Sequence, residues 1–116
     1  MINKDLTLYP EALELKQLGF DEPCFAYFSE SQQLHLCRFE NMSDRGFVSA
    51  PTYSQAFRWF REKYGLYAVV DGLENRQYYK ITQLNSYSKE FETYEEAELA
   101  CLKKLIEIVK TYGGNK

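Results

Sequence analysis

The side chains with the most reactive chemistry are one histidine and three cysteines: His35, Cys24, Cys37 and Cys101. His35 and Cys37 stand two apart in Leu34-His35-Leu36-Cys37-Arg38-Phe39, whose alternation predicts a strand, so both would project from one face. Cys24 would neighbour them across a hairpin, and Cys101 falls on a predicted helix. Thiolate and imidazole could hold zinc or form a Cys–His nucleophile. The spacing supports neither, because no C-x-x-C or H-x-x-x-H pair occurs, and free cysteine is among the most buried residue types. Core or boundary roles are expected instead, with no catalytic residue, no metal ligand and no cofactor site.

A dense acidic stretch, Glu90, Glu92, Glu95, Glu96 and Glu98, could in principle bind a divalent cation. Carboxylates in the first turn of a helix are favoured by its dipole, which accounts for Glu95 and Glu96 without a ligand.

The segment Phe57-Arg58-Trp59-Phe60-Arg61-Glu62-Lys63-Tyr64 is the most unusual string. Wound as a helix, it places Tyr53, Ala56, Phe57, Phe60 and Tyr64 on one apolar stripe and Trp59 well off it. The only tryptophan is therefore expected to be partly exposed, beside Arg58 and Arg61. Tryptophan and arginine are enriched at interface hot spots, and arginine with an aromatic ring can also stack on bases. In the last predicted helix, Leu99, Leu102 and Ile106 widen the apolar arc to roughly 200°, where a surface helix needs little over 100°. Something must cover that second side: the N-terminal helix, or a second copy of the chain.

These residues need elements to position them. The phrase Tyr-x-Glu/Gln-Ala occurs at Tyr9, Tyr53 and Tyr94, each time opening a predicted helix. Helices are expected over Pro10–Leu18, from Tyr53 to Tyr64, and from Tyr94 to Tyr112, ended by Gly19, Gly65 and Gly113-Gly114. Thr52/Gln55 and Thr93/Glu96 read as capping boxes. Cys24–Phe28, Leu34–Phe39, Leu66–Val70 and Gln77–Leu84 read as strands, with further short strands at Phe47–Ser49 and Glu90–Glu92 and turns at Asn41–Gly46 and Asn85–Lys89. The expected fold is α+β: an N-terminal helix followed by two strand-strand-(strand)-helix units, an antiparallel sheet covered by helices. The chain reads as a single domain over 1–116, with the N-terminal helix in 1–20, a first ββ(β)α unit in 21–65 and a second in 66–112. Spacings near 41–44 residues suggest a duplicated unit.

Composition narrows the class. The chain has 116 residues, 45% hydrophobic and 27% charged, with a net charge of −3 and a pI near 5.2. That argues against a broad basic face for nucleic acid. An odd, loosely spaced set of three cysteines is no disulfide framework. No secretory leader or membrane-length apolar run is read, so a cytoplasmic location is expected.

At PTYSQAFRWFREKYGL (51–66), TYEEAELACLKKLIEIVK (93–110) and EALELKQLGFDEPCFAYF (11–28), the chain resembles small uncharacterised proteins of gut Bacteroidetes and their phages or mobile elements. The resemblance implies an accessory protein and carries no catalytic residue over. The expected function is a non-enzymatic protein-interaction module, with Arg58, Trp59, Arg61, Leu99 and Ile106 as partner-contact candidates and an unknown protein or a second copy of the chain as partner, with no membrane partner. The alternative is a nucleic-acid-binding accessory protein using the Arg58-Trp59-Arg61-Lys63 helix.

Overall fold

The computed structural model describes residues 5–73, 76–84 and 86–112. The elements, in chain order, are α1 (Tyr9–Gln17), β1 (Cys24–Phe28), β2 (Leu34–Glu40), β3 (Val48–Ser49), α2 (Tyr53–Tyr64), β4 (Ala68–Leu73), β5 (Arg76–Ile81), β6 (Ser86–Tyr87) and α3 (Tyr94–Tyr112). The fold is α+β, as the sequence predicts, but the strands form two three-stranded antiparallel sheets rather than one. Two compact units, Met1–Gln55 and Ala56–Lys116, divide within α2.

In the first unit the strand order is β2-β1-β3. A one-turn 3-10 helix, Met42–Arg45, carries the chain from β2 round to the far side of β1. The pairing continues past β3, where the Ala50 amide donates to the Ala26 carbonyl at 2.9 Å and Leu6 bridges Thr52. Helix α1 packs on β3. Its core holds Leu6, Ala12, Ala26, Phe28, Val48 and Ala50, with Tyr9 set edge-on against Phe28 at 5.4 Å. Pro10 occupies the first turn, where its missing amide costs nothing. Gly19, at φ +103°, ends the helix: its amide donates to Lys16 and that of Phe20 to Leu15, the paired bonds of a Schellman cap.

One helix about 10 Å across covers roughly two strands spaced 4.8 Å apart. Helix α1 spends that width on β3 and β1. Leu34, at the end of β2, still reaches the core, but Leu36 on the same strand does not.

In the second unit the strands form a meander, β4-β5-β6, covered by α3, which packs against β4 and β5. Ala97, Cys101, Leu102, Leu105, Ile106 and Val109 are buried along that helix. Of the turn expected at Asn85–Lys89, Asn85 lies outside the described residues and Ser86–Tyr87 form β6, whose Tyr87 pairs with Lys80. Where a short strand was expected at Glu90–Glu92, Phe91 makes a single bridge to Gln77. The helix end expected at Gly113-Gly114 lies outside the described residues.

The duplication suggested by sequence spacing does not extend to topology. The first strand is central in one sheet and the second strand in the other. A hairpin followed by a capped helix recurs in the sequence, but the third strand adds to opposite sides of the hairpin.

Candidate interaction surface

The helical candidates are redistributed by the fold. Trp59, expected to be partly exposed, is only 4% exposed. Its ring packs edge-on against Phe60 at 5.1 Å and Tyr64 at 5.4 Å, and Lys63 Nζ lies 5.7 Å from its centre. Ile106 is buried and Leu99 is half-buried, so the wide apolar arc of α3 is largely covered within the chain. Arg58 and Arg61 are exposed, as is Lys63. Enclosed in this way, the Trp59 ring is not open to stack on a base. A cleft of about 280 Å³ at the end of α2 is lined by Arg61, Lys63, Tyr64, Leu66 and Gln83. The Gln83 amide is already engaged there, donating to the Gly65 carbonyl and accepting from the Tyr67 amide.

Cys24 and Cys37 are neighbours across the hairpin, as expected, but they do not build a ligand set. His35 stacks on Tyr27, its cross-strand partner, at 5.3 Å. Cys37 donates to the Cys24 carbonyl at 3.3 Å, and Cys24 to the Gln55 side chain at 3.7 Å. Among the described residues no group of three or more His, Cys, Asp or Glu is placed to hold a metal ion. Burial pushes the Cys24 and Cys101 thiols up to about 12, and burial, helped by Glu40, raises Cys37. A thiol raised in the native state ionises more readily once unfolded. Stability from Cys24 and Cys101 is therefore fully present below the ordinary thiol range of about 8.5 and is lost as pH rises toward 12. Mass-resolved alkylation of the native protein should modify Cys37 first and leave Cys24 and Cys101 to react only on unfolding. Fast labelling of Cys101 at neutral pH would contradict this placement.

The surplus of apolar surface lies on the first sheet. Along β1, Cys24, Ala26 and Phe28 turn inward while Phe25 is 60% exposed. Phe39 is 53% exposed and its ring lies 4.7 Å from that of Phe25. Tyr27 sits between His35 and Phe47, with Phe47 at 4.8 Å. These rings form an aromatic strip on the face opposite the α1 core. Leu36, paired with Ala26 and so on the helix side, is 64% exposed because α1 stops short of it.

The second sheet's open face is of a different kind. Val69, Lys80 and Tyr87 form one cross-strand row, and Lys80 Nζ lies 5.3 Å over the Tyr87 ring. Tyrosine hydroxyls and a lysine keep that face wetted, the ordinary state of an antiparallel sheet covered on one side. Phe25, Leu36 and Phe39 have no polar tip to present.

Sequence reasoning passed over this surface, although a signal was there. Cys-Phe-Ala-Tyr-Phe is apolar at both parities, which describes a strand wanting cover on both faces. No helix in the described residues is long and apolar enough to cross a membrane. Comparison of the chain with protein-family models, with curated proteins and with solved structures finds no match.

Proposed function

We propose that the protein is a non-enzymatic interaction module that docks a partner on the aromatic face and outer strand of its first sheet. The observation that carries this reading is the exposure of Phe25 and Phe39, whose rings lie 4.7 Å apart on the open face, with Leu36 exposed on the other side of the outer strand. Large apolar side chains grouped on one face mark contact sites more often than scattered ones do. Burying the rest of each side chain stabilises a complex by roughly 1–2 kcal/mol. An accessory role of the kind implied by the sequence resemblance fits a surface of this sort.

The test is site-specific crosslinking in expressing cells. A photo-reactive benzoylphenylalanine replaces Phe39 in one variant and Tyr112, exposed at the end of α3, in another. A discrete adduct at position 39 and none at 112 is expected. No adduct at 39, or the same smear at both positions, would sink the proposal.

A further inference from the structure

Resting on that reading, we infer that the aromatic strip of the first sheet binds a cationic polypeptide segment, one carrying arginine or lysine side chains. The strip is built from ring faces: Phe25 against Phe39, and Tyr27 between His35 and Phe47. Ring faces carry a negative quadrupole and attract guanidinium and ammonium groups, whereas an aliphatic patch would not.

The charge around the strip has the matching sign. Residues 5–55 hold eight carboxylates against three lysine and arginine side chains. Lys16 Nζ donates to the Phe47 carbonyl at 3.1 Å, Arg45 and Glu40 offset each other at 3.2 Å, and Arg38 is exposed on β2, so the unit keeps an acidic excess. The topology sets carboxylates at both ends of the hairpin. Asp21 and Glu22 precede β1, and Asp44 follows β2 in the 3-10 turn. Glu30 lies in the turn at the other end. Five strand residues span about 16 Å, so an extended segment of about five residues would lie along the strip between the two acidic ends.

The same charge weighs against other occupants. A nucleic acid backbone would be repelled by these carboxylates. A second copy would bring the same acidic unit against itself. Adding a strand to the β2 edge meets a further obstacle. Cys24 and Ala26 of β1 span Leu36 to Glu40 of β2, so β2 carries a bulge in its middle, a common device for blocking edge pairing.

The experiment uses the full chain and a fluorescein-labelled octapeptide of alternating Arg and Gly, followed by fluorescence anisotropy at low salt. A second octapeptide has citrulline, planar but neutral, in place of each Arg. Saturable binding of the Arg peptide and loss with citrulline are expected. The Phe25→Leu/Phe39→Leu variant keeps apolar area but removes two rings, and should bind roughly tenfold more weakly. Tyr67→Leu/Tyr87→Leu on the second sheet should bind as the parent does. Circular dichroism and the emission of buried Trp59 report that each variant is folded. Failure of the Arg peptide to bind, equal binding of the citrulline peptide, or unchanged binding by the folded Phe25→Leu/Phe39→Leu variant would each overturn the inference. If crosslinking at position 39 succeeds while the Arg peptide fails, the interaction module stands and the cationic partner falls. An adduct of twice the chain mass would assign the face to self-association and overturn it as well.

Discussion

Replacing Phe60 by alanine should lower stability by about 3–5 kcal/mol, the range for emptying a fully enclosed phenylalanine site. Phe60 is fully buried, with Trp59 and Tyr64 packed around its ring. Removing it forfeits the transfer energy of the ring and leaves a cavity that the neighbouring rings cannot close without leaving their own rotamers. A domain of this size has roughly 5–15 kcal/mol in total, so the variant should unfold at markedly lower urea. The emission of Trp59, with far-UV circular dichroism as a second probe, follows the transition. The contrast lies with Phe39→Ala, where half the side chain already meets water and the loss should stay within about 1 kcal/mol. That pair of measurements separates aromatic residues that make the fold from those that present a surface. A loss below about 1 kcal/mol at Phe60 would mean that this face of α2 is not core.

Ile106→Glu should abolish folding rather than disrupt an assembly. Ile106 is 3% exposed on α3, next to fully buried Leu102 and Leu105, in a helix that lies against β4 and β5. A carboxylate placed in this buried position loses its hydration, and burying it costs several kcal/mol. Thermal melting by circular dichroism reads the outcome: no cooperative transition at neutral pH, with partial recovery as pH falls and the carboxyl neutralises. A protein that melts like the parent but changes its sedimentation would show instead that Ile106 faces a partner. The sequence pattern made Ile106 a contact candidate; its burial makes it a core position.

Much of the architecture follows from local rules that the sequence states openly. Gly19 and Gly65 end helices because the chain there turns to positive φ, +103° and +70°, a conformation that costs other residues a Cβ clash. Thr52 and Thr93 cap α2 and α3 as the capping boxes predict, accepting from the amides three residues on at 3.0 and 3.1 Å. The reciprocal halves of the boxes diverge. Gln55 turns away to donate to the Pro23 carbonyl at 2.7 Å, while Glu96 accepts from the Glu92 amide rather than from the cap. A capping threonine needs only its own helix, but the partner side chain takes whichever donor or acceptor the fold brings closer. The repeated tyrosine shows the same limit. Tyr53 is buried, Tyr9 packs on the first core, and Tyr94 is 46% exposed, although all three open helices in the same phrase.

What the sequence determined by itself is the three helices with their threonine caps and glycine ends and the two hairpins, because these depend on contacts within a few residues. What only the tertiary structure decided is which apolar residues remain in water. Helical periodicity pointed to Trp59 and Ile106, and the fold enclosed both. It left Phe25, Leu36 and Phe39 uncovered instead, because one short helix spans two strands and the first sheet has three, with its second face bare.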